Sequence, residues 1–134
     1  MEPASLTHDL EDRLIRLLLV EDDFMLRWPA AEYLREAGYR VIEAASVGDG
    51  IVVLSSGVRV DLVFSDINLS GELTGHSLAG WLARHHPDIP MLLTSGDRDA
   101  APLTPGGARR AFLPKPYDLA EVERRIKEML APPR

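Results

Sequence analysis

The chain has 134 residues, 46% hydrophobic and 27% charged, with no cysteine, which suits one soluble domain and excludes disulfide scaffolds and zinc-cysteine modules. Its 21 acidic against 15 basic residues give a net charge of -6, ill suited to sequence-independent contact with phosphate backbones, so direct nucleic-acid binding is not expected. The imbalance is uneven: residues 1–72 hold 14 acids and 6 bases, net -8, whereas residues 73–134 hold 7 and 9, net +2.

Residues 1–12 are polar, contain Pro3 and show no period, so they read as an N-terminal tail. The apolar stretch from Leu14 to Val20 contains Arg16 and follows Asp9, Glu11 and Asp12. It is too short to span a bilayer and lacks the flanks of a signal peptide, so no membrane insertion and a cytoplasmic location are expected. Ile15 to Val20 reads as the first strand. An acidic loop follows, then a helix from Phe24 to a stop at Gly38, with Pro29 about a turn and a half inside it. Tyr39 to Ala45 is a second strand, and Ser46 caps a short helix ending at Ser56. Asp61 to Ser65 is the third strand, followed by a nine-residue loop and a helix from about Gly75 to His86. Pro90 to Ser95 is the fourth strand. Residues 96–110 contain Pro102, Pro105, Gly106 and Gly107, which predicts a short or irregular fourth helix. Ala111 to Leu113 is a stub of fifth strand, and Asp118 caps a last helix ending near Leu130. The domain proper spans 13–131, and 132–134 form a C-terminal tail.

Short apolar strands alternating with helices imply βαβ units, hence an α/β, doubly wound parallel sheet covered on both faces. For five strands the right-handed crossover rule favours the flavodoxin-like order 2-1-3-4-5. A ligand site is then expected beyond the carboxyl ends of the strands, between the first and third. Those ends carry Glu21, Asp22 and Asp23, then Asp66, then Thr94 and Ser95, then Lys115. Carboxylates converging on one pocket raise each other's pKa unless a cation joins them. Oxygen donors without nearby histidine or cysteine favour Mg2+ or Mn2+ over zinc. Thr94 can donate a hydroxyl hydrogen bond, and Lys115 is a point charge suited to a phosphoryl oxygen. The chain holds 13 arginines and only two lysines, so a lysine here runs against its own habit.

The motifs LLLVEDD (17–23), VFSDINL (63–69), LLTSG (92–96) and FLPKP (112–116), in this order at strand ends, resemble the receiver domain of two-component response regulators (CheY-like). The resemblance implies that Asp66 accepts a phosphoryl group from a sensor histidine kinase or histidine phosphotransfer protein. It makes Asp22 a direct Mg2+ ligand, Glu21 its water-mediated helper and the Asn68 backbone carbonyl a further ligand. It assigns Thr94 and Lys115 to phosphoryl oxygens, Phe112 to a rotamer switch coupled to Thr94, and a cis Lys115-Pro116 bond. Such a protein catalyses its own phosphorylation and dephosphorylation rather than turnover of an external metabolite. The implied partners are the phosphodonor and a downstream protein target, and a homodimer is compatible with the family. The loop after Asp66 and the fourth-helix segment DAAPLTPGGARR depart from the common receiver pattern, the second on the face where receivers usually dimerise or contact outputs.

The resulting expectation is a stand-alone receiver in phosphorelay signalling. Its alternatives are a receiver fragment of a longer hybrid histidine kinase or regulator, and a receiver-like interaction module that takes no phosphate. A doubly wound phosphatase or nucleotide-binding enzyme would need a glycine-rich loop after the first strand, where EDDFML stands instead. Asp23 is read as a helix N-cap. His85 and His86 suit a helix C-terminus better than a metal site. Trp28 and Trp81 are expected to pack on the sheet, and Arg109-Arg110 to form a solvated pair.

Overall fold

A computed structural model describes residues 14–69, 73–96 and 109–131. In chain order the elements are β1 (Arg16–Val20), α1 (Phe24–Glu36), β2 (Arg40–Ala44), α2 (Val47–Ser55), β3 (Leu62–Asp66), α3 (Gly75–His85), β4 (Met91–Ser95), β5 (Arg110–Pro114) and α4 (Leu119–Leu130). All strand pairs are parallel and the order is β2-β1-β3-β4-β5, as the alternating pattern implied. The tail at 1–12, the loop residues 70–72, the irregular helix expected within 97–108 and the tail at 132–134 lie outside the described residues.

The strands are continuous apolar runs because both faces of the sheet are covered. Successive residues alternate between two cores. Leu18, Val20, Val63 and Leu93 pack with Leu78 and Leu82 of α3 on one face. Leu17, Leu19, Phe64 and Leu92 pack with Leu34 of α1 and Val122 and Ile126 of α4 on the other. The central strands β3 and β4 are buried along their whole length, while the edge strands β2 and β5 are half-exposed. β5 is five residues long rather than a three-residue stub. Pairing with β4 from Arg110 to Pro114 extends it through residues whose own pattern is weak.

Each described helix starts on a side chain that accepts from a backbone N–H: Asp23 from Met25, Ser46 from Asp49, Thr74 from Ser77 and Asp118 from Glu121. These contacts satisfy N–H groups that the helix itself leaves unpaired. α1 runs on through Pro29, and the chain turns after it at Gly38, whose φ of 105° suits a residue without Cβ. The Asp23 cap is the one expected.

Two surface expectations need correction. Trp28 does not pack on the sheet: it is 49% exposed and stacks on Phe24, with ring centroids 6.4 Å apart, because its position in α1 points away from the buried Ala30, Ala31 and Leu34 stripe. Arg110 is not simply solvated either: it is half-buried and its Nη1 donates to the Ile89 carbonyl at 3.0 Å. Trp81 does pack against the α3-side core, with His85 and His86 beside its ring.

Candidate functional site

Register brings the polar strand ends together. Asp66 is paired with Thr94 and Val20 with Ser65, so β1, β3 and β4 end at one level. β5 ends opposite Ser95, and the Lys115 N–H donates to the Ser95 carbonyl at 2.9 Å. Glu21 follows β1, with its N–H on the Ala44 carbonyl of β2. Polar side chains at the ends of adjacent strands are thereby held side by side at one end of the sheet.

Asp66 is 7% exposed, Glu21 6% and Thr94 2%. Lys115 Nζ lies 2.9 Å from Asp66 Oδ2 and 3.7 Å from Glu21 Oε1, reaching across β4 to join three strand ends. The other carboxylate oxygen of Asp66, Oδ1, accepts the Asn68 N–H at 3.0 Å. The Asn68 side chain donates to Ser95 Oγ at 2.8 Å, tying the β3 loop to β4. Among the described residues Thr94 Oγ1 is a buried hydroxyl with no hydrogen-bond partner, a costly state for a polar atom. The Lys115-Pro116 bond is cis, as the resemblance implied.

Burial pushes the Glu21 carboxyl up to about 7, and the Asp66 charge adds to it, while Lys115 pulls it down. Asp22, half-buried beside it, shares a hydrogen bond with Glu21 that also raises it. Burial alone would lower Lys115, but its hydrogen bond to Asp66 and the charges of Asp66 and Glu21 leave it raised, so its ammonium is held. The pocket thus holds carboxylates in excess of its lysine, as the charge distribution along the chain suggested.

The donor set fits a hard divalent cation. It consists of carboxylate and carbonyl oxygens at the ends of β1 and β3, where burial and then the Asp66 charge raise the Glu21 carboxyl to about 7. No group of three or more acidic or histidine side chains among the described residues forms an all-protein cage. A hard cation such as Mg2+ needs only one or two carboxylates and completes its shell with water and phosphate oxygens. His76 lies elsewhere, in a cleft between α2 and α3.

Phe112 is half-buried on β5 next to Leu93 and packs into the α3-side core. Two features escaped the sequence. Arg27 reaches back over the first turn of α1, donating from Nη1 to the Glu21 carbonyl at 2.9 Å and from Nε to Glu43 Oε1 at 3.1 Å. The available signal was a cation in a first helical turn, where the macrodipole disfavours it. The second is an apolar rim: Phe24, Met25, Leu26 and Trp28 are 47–74% exposed. An apolar groove of about 550 Å³ runs from Met25, Leu26 and Pro29 to Lys115, Pro116 and Tyr117.

Comparison with known proteins points one way. A family described as "Response regulator receiver domain" matches residues 17–127. The chain is similar to the sensor kinase CckA of Brucella abortus, 38% identical over 117 residues that cover 85% of this chain and 12% of that protein. It is also similar to the transcriptional regulatory protein YbdJ of Bacillus subtilis, 34% identical over 86% of this chain and 50% of that protein. The chain therefore spans half or less of these relatives. Among solved structures, the receiver domain of the hybrid histidine kinase CckA aligns with a TM-score of 0.72 and 30% identity over 87% of this chain and 99% of that one. The response regulator TrrA of Thermotoga maritima, solved in complex with Mg(2+)-BeF, aligns with a TM-score of 0.78 and 25% identity over 87% and 100%.

Proposed function

Because this chain belongs to the response regulator receiver domain family, we propose that it is a phosphorylatable switch in a phosphorelay, taking a phosphoryl group on Asp66 and changing its protein partner as a result. The observation that carries this reading is the buried Asp66 carboxylate paired with the half-buried Lys115 ammonium, beside the buried Thr94 hydroxyl, which has no hydrogen-bond partner among the described residues. That arrangement leaves a buried hydroxyl donor and a half-buried ammonium next to one nucleophilic carboxylate, with the natural occupant being an anion that brings acceptor oxygens.

In the proposed reaction an oxygen of Asp66 attacks the phosphorus of a phosphohistidine in line, the P–N bond breaks, and the donor imidazole leaves with the electron pair and takes up a proton. An acyl phosphate on Asp66 results. Lys115 moves from Asp66 Oδ2 to a phosphoryl oxygen, and Thr94 Oγ1 donates to another, so the protein positions and neutralises charge. Asn68 N–H continues to hold Oδ1. Water later attacks phosphorus, and its attack releases inorganic phosphate and restores the carboxylate. Asp22, Asp66 and the Asn68 carbonyl would hold Mg2+ (or Mn2+), with Glu21 acting through water. When bound, the cation supplies further charge neutralisation at the phosphoryl oxygens. The Mg(2+)-BeF complex of the TrrA relative supports that assignment. Movement of Thr94 toward the phosphoryl group would free space near Phe112, which is the proposed route to a changed surface.

A phosphohistidine can reach Asp66 only if its protein touches the pocket rim. On the α1 side that rim is the apolar face of Phe24, Met25, Leu26 and Trp28, so a donor helix with an apolar face is the proposed occupant. No helix among the described residues is long and apolar enough to cross a membrane, and a cytoplasmic site of action is part of the proposal. The test is incubation with a small phosphodonor and Mg2+ followed by intact mass. Wild type should gain one phosphoryl group that is lost in base. Asp66→Asn, or wild type with a chelator, should gain none, and an adduct on Asp66→Asn would refute the assignment.

A further inference from the structure

We infer that Arg27 is a positioning residue that fixes the acidic β1–α1 loop in its metal-binding shape, an inference that rests on the phosphoryl-switch reading above. Arg27 lies in α1 just past the Asp23 cap, and its side chain is only 16% exposed. Its fork spans two elements. Nη1 donates to the backbone carbonyl of Glu21 at 2.9 Å and Nε to Glu43 Oε1 on β2 at 3.1 Å. Glu43 is itself held, because its second oxygen accepts from Arg35 Nη2 at 3.2 Å, and that same nitrogen donates to the Val41 carbonyl at 2.9 Å. The Phe24 ring lies beside the guanidinium, 5.5 Å from its centre.

Glu21 is consequently gripped from both backbone sides, its N–H by the Ala44 carbonyl of β2 and its carbonyl by Arg27. Fixing that peptide fixes where the neighbouring carboxylates of Glu21 and Asp22 start from. Removing a group that orients metal ligands without touching the metal typically costs about 10–100-fold in metal affinity. The position of the Arg27 charge makes the role separable from simple electrostatics. A cation beside an acidic loop repels another cation, so removing it by charge alone should tighten Mg2+ binding. Removing a positioning clamp should loosen it. The two roles predict opposite signs.

The experiment is an Mg2+ titration of the full chain followed by amide NMR shifts at residues 21–23, with thermal unfolding measured alongside. For Arg27→Met the dissociation constant for Mg2+ should rise roughly tenfold, with the far-ultraviolet spectrum unchanged. An unchanged or lower dissociation constant overturns the inference. Should Arg27→Met fail to fold, Arg27→Lys serves: it keeps the charge but loses the two-pronged geometry, and it too should bind Mg2+ more weakly, with wild-type affinity overturning the inference. A wild type that shows no Mg2+ response at residues 21–23 would overturn the parent reading together with this one, whereas a responsive wild type matched by its Arg27 variants would overturn this one alone.

Discussion

Glu21 bears a cost that the fold imposes and a cation would relieve. Burial, with the Asp66 charge behind it, lifts its pKa from 4.5 to about 7. Between those values the native state holds more proton than the unfolded chain, so metal-free stability is greatest below about pH 4.5 as far as this group is concerned, falls as pH rises, and has lost the contribution by about pH 7. Glu21→Gln should remove this slope. In chelator, the variant should gain on wild type progressively from pH 5 to 8, by on the order of 2 kcal/mol at the top of the range, read from denaturant midpoints. A constant gap would contradict the buried-carboxylate account. At this scale Asp66, Thr94 and Lys115 were legible because each stands at or just past the end of an apolar run, where both faces of the sheet are covered and a polar residue has no other place. Arg27 was not, since its partners Glu21 and Glu43 come together only through strand pairing.

The elements place the site by close contact as well as by register. α3 begins directly beneath the loop that leaves Asp66. A Cβ on Gly75 would lie 2.6 Å from the Asp66 carbonyl oxygen and 2.7 Å from Ile67 Cα, both backbone. Gly75→Ala should therefore push α3 away from the loop that follows Asp66 and destabilise by about 1–3 kcal/mol. Gly80, later in the same helix, would meet only the Arg84 Nη1 tip at 3.7 Å. Gly80→Ala should stabilise by about 0.5–1 kcal/mol. Parallel thermal melts of the two variants check both signs, and equal shifts would refute the close-approach argument. The helix starts were readable from Asp23, Ser46 and Asp118, whose side-chain oxygens suit caps. The tightness at Gly75 was not, because one glycine near a helix start reads equally well as a loop residue.

For the molecule as a whole, the five parallel strands put every proposed reactive group at one end of the sheet, and α1 borders that end with exposed apolar surface. Trp28→Glu should slow phosphoryl transfer from a histidine-phosphorylated donor protein by roughly tenfold or more while leaving phosphorylation by a small donor unchanged. Equal rates from the protein donor would remove the α1 face from the docking proposal. The sheet order was legible because fully apolar strands alternating with amphipathic helices admit few right-handed arrangements. The exposed face was not: an aromatic in an amphipathic helix is ordinarily assigned to the buried side, and only the placement of Ala30, Ala31 and Leu34 on the core stripe shows that Trp28 lies off it.

The central claim is that phosphate goes to the carboxylate of Asp66. After brief reaction with a small phosphodonor and Mg2+, borohydride reduction converts an aspartyl phosphate to homoserine, which peptide sequencing by mass locates within the chain. The account predicts homoserine at position 66 and at no other aspartate, dependent on both donor and metal. Homoserine at Asp22 or Asp23, or none in a sample whose intact mass shows a phosphoryl group, would contradict it.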